Sequence, residues 1–194
     1  MKMGKTRLEA FSDGVLAIII TIMVLELKVP HGDDLAALAP MLPKFVAYVL
    51  SFIYVGIYWN NHHHLLHACN HVSGSVLWAN LNLLFWLSLF PVTTDWLGEH
   101  PGASWPSAVY GCVLLAAALS YYLLQRRIIA ADGNGSMLKQ AIGSDLKGKL
   151  SPIAYICGIA LSFFLPLAAQ IIYLLVALAW LIPDRRIEHG THAG

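Results

Sequence analysis

From residue 150 to residue 183 the chain carries no charged side chain. As one helix this run would reach roughly 51 Å at 1.5 Å per residue. A bilayer core is about 30 Å thick, so a single span would need extreme tilt. Pro166 follows Phe163, Phe164 and Leu165, and it lacks the amide that a continuing helix uses. The run therefore divides into two short spans at about 150–165 and 166–183. Largely apolar stretches at about 8–29, 44–66, 76–98 and 104–125 are further spans, the first solidly apolar only from Val15 to Leu25, and each is long enough to cross. The 194 residues are 58% hydrophobic and 12% charged, whereas soluble domains carry roughly 25% charged residues. That excludes a water-soluble domain and a disordered chain. A net charge of +1 gives no basic field for nucleic acid. The fold class is all-α: a polytopic membrane protein forming one domain, 1–194, of six transmembrane helices.

Charge orients the helices. With the N- and C-termini cytoplasmic, Lys2, Lys5, Arg7, Arg126, Arg127, Lys139, Lys147, Lys149, Arg185 and Arg186 lie inside, and the positive-inside rule is obeyed. Only Lys28 and Lys44 lie outside, against Glu26, Asp33, Asp34, Asp95 and Glu99, for a formal charge of −3. Such an outer mouth is either ordinary loop charge or a vestibule that concentrates cations. The first segment has the basic start of a signal peptide. Glu9 and Asp13 interrupt its approach to the apolar run and no small-x-small site follows Leu25, so it is expected to stay as a helix. Residues 126–149 form an expected inner loop, with some helical turn over 137–142. Cys69, Cys112 and Cys157 show no CxxC spacing and are expected to pack rather than pair.

Polar residues inside a span are costly and face protein or water. Asp13 and Ser12 sit about one and a half turns into the first helix. Asn60, Asn61 and His62 lie about one turn from the inner end of the second helix, and Trp78, Asn80 and Asn82 about one turn from that of the third. The depths coincide, which predicts a polar layer joining Asp13 and Ser12 to His62 and Asn80. It is either a clamp between helices or a proton relay. Beyond it, Ile18, Ile22 and Leu25 fall within an arc of about 60° at 100° per residue, with Thr21 beside them and Gly14 and Phe11 extending the stripe inward. An apolar stripe contacts neighbours or lipid, or else it forms a constriction that gates by dewetting. His62, His63, His64, His67 and His71 crowd the inner end of the second helix. His63, His67 and His71 have the spacing of one helical face. Apart from Cys69 nearby, no acid or cysteine completes a convincing metal set, so no metal and no cofactor are expected. Nucleotide-binding, hydrolase and zinc-protease motifs are absent, as is the TVGYG potassium filter. Channels that use side chains remain open.

The first helix carries the pattern R-x-x-x-F-S-D in Arg7, Phe11, Ser12 and Asp13. With six spans, the Trp59…Asn61-His62-His63 stretch, Trp78-Ala79-Asn80 and Phe90-Pro91, the chain resembles the transmembrane protein 175 family, the lysosomal-type potassium channels and their prokaryotic homologues. The resemblance covers most of the chain. It implies a single six-helix unit assembling as a homotetramer in a prokaryotic plasma membrane, with four first helices lining a pore for potassium ions. Ile18, Ile22 and Leu25 would then be the constriction and Thr21 the hydroxyl that contributes modest selectivity over sodium. Arg7, Phe11, Ser12 and Asp13 would hold helix packing, with His62, Asn61, Trp78 and Asn80 as motif partners. The protein would then not be an enzyme. A proton-coupled secondary transporter using Asp13 and His62 is the rival. Such folds tend to have inverted repeats and broken midplane helices, and the sequence shows neither.

Overall fold

A computed structural model describes residues 4–133, 136, 138 and 146–181. Lys2, Lys139, Arg185 and Arg186, and most of the turn expected over 137–142, lie outside these residues. Among the described residues every regular element is helical. Helix α1 spans Lys5–Leu25. A 3₁₀ turn, Leu35–Met41, leads into α2, Leu42–His67; the Asp34 carboxylate accepts from the Ala37 amide at 3.0 Å and starts the turn. Helices α3, Gly74–Leu87, and α4, Phe90–Glu99, follow. Then come α5, Ser104–Asp132, α6, Leu146–Leu161, and α7, Pro166–Leu181. On length and composition four segments can cross a membrane: Lys5–Leu25, Leu35–His67, Gly74–Glu99 and Ser104–Asp132. The exposed surface is studded with large apolar side chains such as Phe45, Phe52, Phe85, Leu167, Ile171 and Leu178, as a bilayer-embedded or partner-covered surface requires.

Proline punctuates this order. The stretch 76–98, expected as one span, breaks at Ser88-Leu89 into α3 and α4. Pro91 has no amide to offer the Leu87 carbonyl. The Ser88 hydroxyl donates to the Phe85 carbonyl at 2.7 Å, and the Thr93 hydroxyl donates to the Leu89 carbonyl at 3.0 Å. In the uncharged run, α6 ends at Leu161, the chain turns through residues 162–165, and Pro166 opens α7. Helix α5 continues through Arg126 and Arg127 to Asp132, past the loop start expected at residue 126. Its end is fastened across the chain: the buried Asp132 carboxylate accepts the Asn70 and His71 amides at 3.1–3.2 Å. Gly133, at φ 66°, then stops the helix, because a side chain rarely adopts that backbone.

Helices α5, α6 and α7 pack around one ring. Tyr173 of α7 is fully buried, and a Cβ on either Gly111 of α5 or Gly158 of α6 would overlap it. Small residues let membrane helices approach this closely. Tyr54, Tyr110 and Tyr155 surround Tyr173 with ring centroids 6.0–6.4 Å apart in successive pairs. Their hydroxyls are paired. Tyr54 donates to the Tyr173 carbonyl at 2.6 Å, Tyr155 donates to the Tyr54 hydroxyl at 3.4 Å, and Tyr110 bonds Ser51 at 2.9 Å.

Gly111→Ala and Gly158→Ala should each destabilise the fold by ~1–3 kcal/mol, the usual cost of forcing atoms into a filled core. Gly56→Ala, where no heavy atom lies within 4 Å of the new methyl, should be near neutral. Thermal unfolding in detergent checks this. Equal midpoints for all three variants would contradict the packing described.

Candidate functional site

Helix α1 has two unlike faces. Leu8, Ser12, Leu16, Ile19 and Met23 are buried, within an arc of about 80° at 100° per residue. This face packs on α2, α3 and α4. The stripe of Ile18, Ile22 and Leu25 is centred about 110° away. It is bare: Ile18 is 60% exposed, Ile22 41% and Leu25 74%, with Phe11 at 52%. Arg7, Gly14 and Thr21 are exposed alongside. The Thr21 hydroxyl donates to the Ala17 carbonyl of its own helix at 2.9 Å. Its proton is committed inward, and its oxygen lone pairs are left to accept.

One directional hydrogen-bond chain ties the buried face to α2 and α3. Asn80 Oδ1 can only accept, so His62 Nε2 donates to it, at 2.6 Å. Asn80 Nδ2 donates to Ser12 Oγ at 3.0 Å, and the Ser12 hydroxyl donates to the Leu8 carbonyl at 2.9 Å. All three side chains are buried: His62 at 3%, Asn80 and Ser12 at 0%. The structure thus brings together Ser12, Asn80 and His62 of the expected layer. Asp13 stands elsewhere. Its carboxylate is exposed and accepts from the Trp59 indole at 3.1 Å, and no bond links it to His62. Consecutive helical residues differ by 100° in direction, so Ser12 and Asp13 cannot share one contact. Asn61 also stays outside the layer: its amide donates to the Ile57 carbonyl at 2.8 Å and its own carbonyl accepts from Tyr121 at 3.2 Å. Trp78 lies 76% exposed on the surface.

The remaining polar groups are mostly structural. Helix α2 ends at His67, so His71 leaves the helical face shared by His63 and His67; the Asp132 carboxylate accepts its amide at 3.1 Å. His63 instead lies between Trp59 and His67, stacked with centroids 6.4 and 6.3 Å away. Among the described residues no three His, Cys, Asp or Glu side chains form a metal-holding group. Cys69 is buried in the 68–73 loop, where burial pushes its thiol pKa up and the thiol donates to the His71 carbonyl at 3.4 Å. The Lys5 ammonium donates to the His67 carbonyl at 2.6 Å, at the negative end of α2. At the opposite end, Lys44 pairs with Asp95 at 2.6 Å and Glu99 at 3.0 Å. Two of the five carboxylates expected at the outer mouth are therefore neutralised in part, which leaves Glu26, Asp33 and Asp34. Sequence reasoning passed over Asp132 and the tyrosine core. The repeated tyrosines in α2 and the acid at the end of α5 were the visible signals.

Fold and site together define an all-α polytopic membrane protein whose first helix is clamped on one side and bare on the other. A family model described as "Endosomal/lysosomal potassium channel TMEM175" matches residues 7–91, from Arg7 of the R-x-x-x-F-S-D pattern to Pro91. A potassium channel of Chryseobacterium sp. (strain P1-3) is 60% identical over 186 residues, covering 96% of this chain and 97% of that protein. A potassium channel of Streptomyces collinus is 33% identical over 157 residues, covering 71% and 76%. The crystal structure of a lysosomal potassium-selective channel TMEM175 homolog from Chamaesiphon minutus matches with a TM-score of 0.80 at 29% identity, covering 92% of this chain and 96% of that one. The chain belongs to the TMEM175 family.

Asn80→Leu should cost ~1–3 kcal/mol for each buried group it leaves unpaired, here the His62 N–H and the Ser12 acceptor site. Trp59→Phe removes a partner from an exposed carboxylate and should cost far less. Unfolding midpoints in detergent compare the two. An Asn80→Leu protein as stable as the wild type would show that the chain of bonds does not hold α1.

Proposed function

We propose that the protein is a potassium-selective cation channel, assembled as a homotetramer in the plasma membrane of a prokaryote, with α1 of each subunit facing the four-fold axis. Helices α6 and α7 supply the fifth and sixth spans, and both termini lie on the cytoplasmic side. The observation that carries this reading is the bare stripe of Phe11, Ile18, Ile22 and Leu25 on a helix whose other face is fully engaged. The names of the bacterial relatives support the choice of ion.

Potassium enters past Glu26, Asp33 and Asp34, which raise the local cation concentration. Rings of Leu25, Ile22 and Ile18 then narrow the path and force the ion to shed part of its water. Thr21 oxygens, with their protons turned inward, replace some of the lost ligands. Potassium releases water more readily than sodium, so a narrow path with weak coordination favours it. The preference stays modest, because a few hydroxyls make a weaker field than a carbonyl cage. Ser12, Asn80 and His62 hold the helix that presents the stripe and touch no ion. Asp13 and Trp59 form a polar contact at the subunit surface and support assembly. The activity is transport, not catalysis.

Purified protein in planar bilayers should pass current with reversal potentials that favour potassium over sodium. Ile18→Asn should wet the narrow ring, raise conductance several-fold and weaken ion discrimination. Thr21→Val keeps the volume but removes four hydroxyls, so selectivity should fall more than conductance. Cysteines introduced at Ile18 and Ile22 should react with small permeant thiol reagents and block current. Inert cysteines at those positions, together with block through cysteines on another helix, would move the pore elsewhere. Asp13→Ala should lower the yield of tetramer on size exclusion. A fully tetrameric Asp13→Ala protein that has lost transport would instead make Asp13 part of the ion path.

A further inference from the structure

Away from α1, helices α2, α5, α6 and α7 line a cleft that is open to the surroundings. Among the polar side chains that line it, Tyr58 of α2 and Gln125 of α5 come from different helices. They are 9% and 8% exposed. Neither makes a hydrogen bond among the described residues, and neither polar tip is sealed from the cleft. In a membrane span an unpaired polar group this buried is costly, so two of them converging on one space call for an occupant with hydrogen-bonding atoms. Much of the remaining lining is hydrocarbon and ring surface, as at Ile57, Ala118 and Tyr155. At the edge, Tyr122 lines the cleft and carries the Arg126 guanidinium 5.8 Å over its ring centroid. The occupant therefore needs an apolar body, an acceptor one step in and a negative charge at the mouth.

We propose that this cleft holds an anionic glycerophospholipid, its ester carbonyl accepting from Tyr58 and Gln125 and its phosphate seated at Arg126. The acyl chain runs along Ile57, Ala118 and Tyr155. Basic side chains near a membrane surface favour anionic lipid by about 1 kcal/mol each, or roughly fivefold, so a preference of that size rests on Arg126.

Native mass spectrometry of the intact purified protein, titrated with phosphatidylglycerol or with phosphatidylcholine of the same chains, tests this. The wild type should retain phosphatidylglycerol about fivefold better than phosphatidylcholine. Arg126→Gln should erase that preference, and Tyr58→Phe combined with Gln125→Leu should weaken both lipids. Ala118→Phe, which fills the cleft, should abolish retention of either. The same spectra report the assembly of each variant, so a variant that fails to assemble is recognised, and the remaining ones still decide. Equal retention of the two lipids by the wild type would overturn the proposal, as would retention unchanged in Arg126→Gln and in the Tyr58/Gln125 pair. Glycerol phosphate added in excess should not compete. If it displaces the lipid, the site reads phosphate alone and the acyl assignment falls.

Discussion

The rotation of α1 about its own axis is set by three side chains. Ser12, Asn80 and His62 sit in surroundings with no water to satisfy them, so each has one acceptable geometry. Turning α1 by a single residue position would carry Ser12 away from Asn80 and leave the buried Asn80 Nδ2 donor unpaired, while His62 keeps its bond to Asn80 Oδ1. The same rotation decides which side chains α1 leaves uncovered. A polar contact on one side thus determines where Ile18, Ile22 and Leu25 stand on the other. The apolar stripe has no directional interaction of its own that could do so.

The rest of the bundle gives this helix something rigid to be fastened to. Tyr173 lies against two glycines, and the hydroxyls of Tyr54, Tyr110 and Tyr155 are all paired. Helices that meet at backbone distance around a shared ring cannot slide without overlap. Long-range polar fastenings close the two ends: Asp132 on the 68–73 loop and Lys5 on the last carbonyl of α2 at one end, Lys44 on α4 at the other. Between them these bonds join α1, α2, α4 and α5, which the chain visits far apart.

Much of this was legible in the residue order, for physical reasons that can be named. Apolar length alone located the helical segments, since nothing else makes such stretches soluble in their surroundings. The depth argument found Ser12, His62 and Asn80, because residues equally far from one membrane face come side by side in packed helices. Depth says nothing about direction, however, and so it grouped Asp13 with Ser12 although they face different neighbours. Asn61 and Trp78 stand at a similar depth and likewise face elsewhere. The break at Ser88-Leu89 was readable in Pro91 but was passed over, because the flanking residues are apolar enough to look continuous. The reach of α5 to Asp132 was not readable locally: what holds it there is a pair of amides 61 and 62 positions earlier. His71 fell outside the histidine face because α2 stops one turn short of it.

The bond from Thr21 to Ala17 fixes more than a rotamer. A hydroxyl has one proton, and here the helix backbone has taken it. A species that approaches this side chain from outside meets lone pairs and a methyl group, with no donor. Such a surface repels anything rich in electrons, whatever its size, because the backbone carbonyl holds the proton turned inward. Ser12 makes the same kind of bond to the Leu8 carbonyl, so the device belongs to the hydroxyl and the helix together. The sign of the field at this position is therefore set by a backbone carbonyl that the approaching species never meets.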